Sequence, residues 1–314
     1  MMNVSNTALM AARRLQSQVR SILATIASGT FSLELFTRKP ITFGQAKKVK
    51  VTSQLKIHES TLGVFVHIYY EDFIQNILEQ LKSIPVPAVF YFSVASESIK
   101  KRLEDAIASE ISVAEIRVVP NRGRNFGPLL VEFAGQMSAY EFVLHLHSKK
   151  SEHSGEPLGK MWSNTLVSQL LGPETLASAL ALLNENTEVG LIYPDMSKRF
   201  RRVNHFWGSN RKPLTRSKFF EKSTTSPSWN KPLAYPVGGM FLARTVALKE
   251  LISFEWSYEM FPEERGQLDG TLQHALERYV GFNATSNGFE HAVFTEHVHE
   301  FICFMNGDAV KVTE

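Results

Sequence analysis

Cysteine is nearly missing from this sequence. Cys303 is the single one in 314 residues. That excludes an intrachain disulfide framework and a cysteine-built zinc site, and it fits a reducing compartment. Long apolar runs are missing too. No stretch of about 18 strongly apolar residues occurs, so a transmembrane helix is not expected. The N-terminal stretch carries Arg13, Arg14 and Arg20 but no compact apolar segment, so a secretory signal is not expected. Instead, Leu15, Val19, Ile22, Leu23 and Ile26 fall at helical spacing and predict an amphipathic helix. Such a helix packs on its own domain, on a partner or on a membrane surface. Charge of one sign is also lacking. The 34 Lys and Arg against 31 Asp and Glu give +3, too little for a general nucleic-acid binder but compatible with local patches aimed at anions.

What is present is a β/α rhythm that starts near Thr61. The apolar, β-branched and aromatic strand "LGVFVHIYY" is followed by helix-like "EDFIQNILEQLKSI". Strand "AVFYFSVAS" precedes "ESIKKRLEDAIA", and strand "AEIRVVP" precedes "GPLLVEFAGQM" and strand "YEFVLHLH". Alternation of this kind predicts right-handed crossovers and a mostly parallel sheet flanked by helices. In such sheets ligands lie beyond the carboxyl ends of the strands. The rule selects His67 to Tyr70, Asn121 to Gly127 and His145 to Ser151. Further on come helix-like "GKMWSNTLVSQLLG" and "PETLASALALLNEN", strand "VGLIYP", and a loop-rich stretch over 195–235. Nine Lys or Arg and one acid, Glu221, fall within 198–222. Strand "PVGGMFLAR", a helix, and "GQLDGTLQHALERYV" complete the pattern.

Several segments carry chemistry. In "NRGRNFGP", Gly123 and Gly127 permit a tight turn, while Arg122 and Arg124 offer forked donors suited to phosphate. Pro128 suits the first turn of a helix whose amino end favours anions. The segment reads as a diphosphate cradle or as a surface turn with solvated arginines. In "HLHSKKS", His145 and His147 share one strand face and Leu144 and Leu146 the other. Two histidines do not complete a metal site, and Lys149 with Lys150 implies exposure or an anion. Asp269 precedes a helix and reads as its N-cap or as a carboxylate facing the cleft. Glu263 and Glu264 are alternatives to it. Arg244 reads as a phosphate contact or a surface ion-pair partner, and Met240 and Phe241 as core. His291, His297 and His299 lack metal-binding spacing and read as a late strand.

Four of these segments, taken together, resemble the rhamnan synthesis protein F family in order and approximate spacing. "RGRNFGP" (Arg122 to Pro128) resembles its GRD-IGP element, and "HLHSKKS" (His145 to Ser151) its HTKKS-type element. "GGMFLAR" (Gly238 to Arg244) resembles its GSMFWxR segment, and "GQLDGTL" through Glu277 and Arg278 its GQxDGTLAHAxER segment. The likeness runs from about residue 60 to about residue 285. Asn125 stands where an aspartate is usual. The resemblance implies a GT-A-like (Rossmann-like) α/β domain over 59–314, behind an N-terminal helical extension and connector over 1–58. It implies a glycosyltransferase of cell-surface polysaccharide assembly, cytoplasmic or peripheral at the inner face of the membrane. The expected donor is a nucleotide diphosphate sugar similar to dTDP-rhamnose, and the acceptor a glycan or a lipid-linked glycan. A non-catalytic nucleotide-sugar- or glycan-binding accessory protein is the competing class.

The resemblance also gives the site residues roles. GT-A enzymes end the fourth strand in Asp-x-Asp, which holds a divalent metal on the donor diphosphate. The comparable place here reads His145-x-His147. Carboxylates suit Mg²⁺ or Mn²⁺, imidazole softer metals. The expectation is therefore that Arg122, Arg124, Lys149 and Lys150 neutralise the diphosphate themselves. No cofactor is firmly implied, and a divalent metal on His145 and His147 is the alternative. His67, Tyr69 and Tyr70 are expected near the base, with Asn125, His145, His147, Arg244 and Gln267 as further donor contacts. Asp269 is the expected general base, with Glu264 as runner-up. The basic segment 198–222 is expected to steer an anionic lipid-linked acceptor or to touch anionic membrane.

Overall fold

The strand-forming runs at 62–68 and 142–147 have no polar face until their carboxyl ends, so each must be covered on both sides. A computed structural model describes residues 41–43, 46–52, 62–107, 111–148, 166–194, 205–305 and 309–311. The predicted N-terminal helix, Lys149, Lys150 and residues 198–204 lie outside them.

The described strands are β1 (Ile41–Phe43), β2 (Lys47–Lys50), β3 (Leu62–Ile68), β4 (Ala88–Val94), β5 (Val113–Val118), β6 (Phe142–His147), β7 (Val189–Tyr193), β8 (Phe241–Arg244), β9 (Glu290–Phe294), β10 (Glu300–Phe304) and β11 (Ala309–Lys311). A nine-stranded sheet has the order β2-β10-β9-β7-β8-β6-β3-β4-β5, and β1 pairs with β11 apart from it. β3, β4, β5 and β6 are parallel neighbours. β8 runs against both β6 and β7, and β10 against both β9 and β2. The chain is thus an α/β protein with a mostly parallel sheet flanked by helices. β8 and β10 are its reversed strands. The boundary expected at residue 58 is corrected, because β2 lies ahead of it and still pairs with β10 in the main sheet.

The helices follow from spacing and caps. α1 (Ile74–Leu81) buries Ile74, Ile77, Leu78 and Leu81, one face of a 3.6-residue period. α2 (Glu97–Ala106) starts where the Ser96 hydroxyl accepts the Ile99 amide. Pro128 opens a π turn, Pro128–Glu132, that runs into α3 (Phe133–Met137). α4 (Pro173–Glu185), α5 (Arg211–Thr215), α6 (Lys218–Lys222), α7 (Lys249–Ser253) and α8 (Leu272–Ser286) follow.

Two apolar clusters cover the two faces of the sheet. Val64, Val66, Leu144 and Leu146 join one, with α1, α2 and α4. Phe65, Val143 and Phe241 join the other, with α8 and the Trp207, Phe219 and Trp256 rings. His67, His145 and His147 alternate with the leucines and valines and so extend the second face to the carboxyl edge of the sheet.

Candidate functional site

Four loops meet at that edge. One follows β5 (residues 119–127), one leaves β3 and another β6, and one enters the reversed β8 (236–240). Because β8 is antiparallel to β6, its start lies beside the end of β6, and His145 pairs with Phe241. The amino end of α8 and the segment 263–271 close the site from the second face.

The β5 loop is shaped by glycine. Gly123 has φ +73°, and a methyl group on Gly127 would sit 2.2 Å from the Arg122 carbonyl. Arg124 is itself left-handed, at φ 50°, a conformation that a non-glycine residue keeps only when its surroundings hold it. Here the guanidinium does so. Its Nε donates to Glu264 Oε2 at 3.2 Å, Nη1 meets His274 Nε2 at 2.9 Å, and Nη2 donates to the Gln267 carbonyl. Glu264 Oε1 in turn accepts from Gln273 Nε2 at 2.6 Å. Both Glu264 oxygens are therefore engaged in anchoring. Arg122 is far less committed. Its one side-chain bond runs from Nη2 to Glu263 Oε1 at 3.4 Å, and its side chain keeps 33% of its surface. Gln267 bridges backbone: Nε2 donates to the Glu263 carbonyl at 2.7 Å, and Oε1 accepts from the Arg265 amide at 2.8 Å.

The histidines form a row. His67 and His147 are register partners across β3 and β6, and the His145 and His147 rings lie 6.1 Å apart. His145 Nδ1 is 2.7 Å from the Gly239 carbonyl, and His147 Nε2 is 2.6 Å from that of Gly238. Gly238 and Gly239 take φ +99° and +76°, which lets their carbonyls turn to the imidazoles. Burial first, and then His147, lower the pKa of His67 to about 3; Ser93 is its 3.0 Å partner. Burial, then His147, likewise holds His145 well below the ordinary imidazole range. A neutral His145 that gives its Nδ1 hydrogen to Gly239 keeps its lone pair on Nε2. That atom is buried without a hydrogen-bond partner, as is Asn125 Nδ2, whose amide packs against Gly239. A donor and an acceptor, both unmet, thus flank one glycine.

Two imidazoles alone do not complete a divalent-cation site. His145 Nδ1 and His147 Nε2 face carbonyl oxygens. Among the described residues no group of three His, Cys, Asp or Glu is arranged to hold a metal. At the outer side, the Ser148 hydroxyl accepts the amides of Tyr69 (2.7 Å) and Tyr70 (3.2 Å). Tyr69 is exposed, stands edge-on to Tyr70 at 5.0 Å, and helps line a groove of about 420 Å³ with Ser96, Ser98 and Ile99.

Asp269 is not the α8 N-cap; Thr271 is. The carboxylate instead reaches the segment before α5. Oδ1 accepts from Asn210 Nδ2 at 2.8 Å and Oδ2 from Ser209 Oγ at 3.0 Å, with Arg278 Nη1 3.8 Å from Oδ1. Burial pushes its pKa up, but Arg278, His274, Asn210 and Ser209 together outweigh that and hold it below the ordinary value. Arg278 is buried, bonded to the Phe206 and His274 carbonyls and seated over the Tyr235 ring at 4.9 Å.

Arg244 is a correction. It pairs in register with Phe142 at the amino end of β6, the far edge from the histidines. There it binds Glu141 (3.0 Å) and the Leu183 carbonyl (2.5 Å) and covers the Phe142 ring. The antiparallel course of β8 put it there, and the sequence does not display that course. His291 is buried between Tyr193, Thr285 and the Gly281 carbonyl, and His299 meets Ser178. Sequence reasoning missed Asn210, Ser209, His274 and Arg278. For the last two a signal existed, polar residues four apart on a buried helix face; for Asn210 and Ser209 none did.

Residues 36–289 match the model of the family described as rhamnan synthesis protein F, so the chain belongs to that family. Two WxcX proteins of Xanthomonas campestris pv. campestris, both described as uncharacterized, are 30% and 29% identical over 229 residues. The match takes in 72% of this chain, which spans about a third (31%) of their length. Among solved structures, Staphylococcus aureus TarS residues 1–349 aligns at TM-score 0.41 and 13% identity, over 76% of this chain and 59% of that one. A CMP:2-keto-3-deoxy-manno-octonic acid synthetase complexed with CTP aligns at 0.34 and 10%, over 80% and 93%.

Proposed function

We propose, from membership of the rhamnan synthesis protein F family, that this chain is a GT-A-like glycosyltransferase domain. It would move a rhamnose-like deoxysugar from a nucleotide diphosphate donor to a glycan or lipid-linked acceptor. One observation carries the site assignment. The half-exposed and weakly paired Arg122, the histidine row and the ionised Asp269 gather around one carboxyl edge of a mostly parallel sheet, where such folds bind ligands.

In this reading the donor base lies in the groove by Tyr69 and Tyr70, and its diphosphate meets Arg122 with Lys149 and Lys150 after β6. Arg124 and Gln267 are positioning residues that hold the β5 loop against segment 263–267. His145 and His147 fix the Gly238–Gly239 turn, and His67 backs them. The acceptor hydroxyl oxygen forms its bond to the anomeric carbon as the bond to the diphosphate oxygen breaks, the electron pair leaving with the diphosphate. Asp269 takes the hydroxyl proton, and the cations stabilise the leaving charge without a metal. Glu264, whose oxygens anchor Arg124 and Gln273, is the alternative base. The competing reading, a non-catalytic sugar-nucleotide- or glycan-binding protein, draws on the full hydrogen bonding of Asp269.

A thermal-shift screen of nucleotide sugars with and without EDTA tests the proposal. A ligand at a hundredfold its Kd adds about 2.7 kcal/mol of stability. Stabilisation by a deoxysugar nucleotide that survives EDTA, together with sugar transfer, supports the reading. Binding without transfer or donor hydrolysis selects the accessory protein, and strict Mn²⁺ dependence removes the metal-free mechanism.

A further inference from the structure

The segment that clamps Asp269 also carries the strongest charge imbalance of the described residues. Between 205 and 231 stand Arg211, Lys212, Arg216, Lys218, Lys222 and Lys231, against Glu221 alone. Lys212, Arg216, Lys218, Lys222 and Lys231 are exposed. Among the described residues, Arg211, Lys212, Arg216, Lys218 and Lys222 make no ion pair. So dense a set of unpaired cations repels itself, and an anionic partner relieves the repulsion.

Aromatic rings lie directly among these cations. The Arg211 guanidinium sits 5.1 Å over the Trp229 ring, and the Lys222 ammonium 5.6 Å over that of Phe254. Trp229 packs on Trp207 (5.3 Å) and Phe220 (5.6 Å), so its plane is held from behind. Trp229, Phe220 and Phe254 are each half-buried. Arg211, Trp229, Asn230 and Lys231 line an open groove of about 540 Å³. Cations interleaved with half-exposed aromatics make a surface that is attractive both to a phosphate and to the apolar zone beneath it. A free anion needs the first feature and has no use for the second.

We infer that this groove binds the phosphate headgroup of a lipid, with Arg211 and Lys231 on the phosphate and Trp229 on the adjoining apolar part. Its place follows from the chain. Arg211 succeeds Asn210, whose amide holds Asp269 Oδ1. On the transferase reading, a lipid phosphate at Arg211 brings the acceptor to the residue next to one that holds the candidate catalytic carboxylate. The inference rests on the proposed transferase reading for that meaning alone, since lipid binding is read without any transfer.

Flotation of the full chain with phosphatidylcholine vesicles, with and without phosphatidic acid, is the test. Binding to the phosphatidic acid vesicles alone is expected, weakening as salt rises. Each cation near an anionic surface is worth about 1 kcal/mol, so Arg211→Gln and Lys231→Gln should each weaken binding about fivefold. Trp229→Ala, which changes no charge, should weaken it as well, and Lys100→Gln on the distant α2 should not. Circular dichroism melts confirm that the variants fold. The inference is overturned by no binding at low salt, by equal losses from Arg211→Gln and Lys100→Gln, or by full competition from inorganic phosphate with no effect of Trp229→Ala. Lipid binding without sugar transfer would leave it standing while the transferase reading fell.

Discussion

Arg122 and Arg244 occupy opposite edges of one sheet and show what an arginine can be used for. Arg244 is 12% exposed, bound to Glu141 and to the Leu183 carbonyl, and seated on Phe142. Arg122 keeps a third of its surface and makes one long contact to Glu263. At the amino edge the guanidinium is consumed by structure; at the carboxyl edge most of its donors stay open. The same division separates the glycines. Gly123 and Gly127 at the carboxyl edge sit where a side chain would strike backbone, whereas Gly135 in α3 faces open space.

The largest test of this contrast is Asp269→Asn. If Asp269 takes the acceptor proton, kcat should fall about 10²–10⁴-fold with the donor KM nearly unchanged. A urea melt on the same variant separates this from loss of the Arg278 pair. An activity loss that merely follows the folded fraction would make Asp269 a structural partner.

Acid should come next. His67 and His291, at about 3 and about 4, are neutral in the folded protein, while the unfolded chain protonates them below about 6.5. The unfolded state then binds more protons, so stability falls as pH drops from 6.5 towards the folded values. The loss is at most about 1.4 kcal/mol per pH unit for each histidine, or about 4 kcal/mol for the two by pH 5. Urea unfolding across that window measures it, and, because buried His145 adds to the same fall, His67→Gln should remove about a third of the slope. A flat profile would mean that the edge histidines are not held neutral.

The arginine pair gives a direct comparison. Arg122→Gln should weaken donor affinity by about 10- to 100-fold, one charge-assisted bond, with little change in melting. Arg244→Gln should do the reverse, costing about 1–3 kcal/mol of stability and leaving donor affinity alone. Isothermal titration and melting of both variants decide it, and equal effects on affinity would dissolve the distinction between the two edges. Smallest are the glycines. Gly127→Ala should cost about 1–3 kcal/mol, because its methyl group meets the Arg122 carbonyl. Gly135→Ala should add about 0.5–1 kcal/mol, because helix interiors penalise glycine.

Much of this molecule was legible in its sequence because the signals were local. Apolar strands broken by helical spacing gave the parallel core over β3 to β6, and alternation within "VLHLH" set both histidines on one face. The carboxyl-edge rule then selected loops that the fold brings together. The place of Arg244 and the partners of Asp269 were not legible, since a residue four places along a strand, or two before a helix cap, looks the same whichever neighbour it meets. Residues 47–50 seemed a connector and proved to be an edge strand, because pairing with β10 depends on a segment some 250 positions away in sequence.

The sequence by itself determined the α/β class, the buried faces, the family and the set of residues able to meet an anion. Tertiary structure decided which of them remain available to do so. Reversing β8 carried Arg244 to the far edge and brought the Gly238 and Gly239 carbonyls to the histidines. Packing α8 against the segment before α5 made Asp269, which the sequence allows as cap or cleft carboxylate, an anion clamped by Asn210 and Ser209. Both outcomes depend on strand direction and helix placement, which long-range packing fixes and local propensity does not encode.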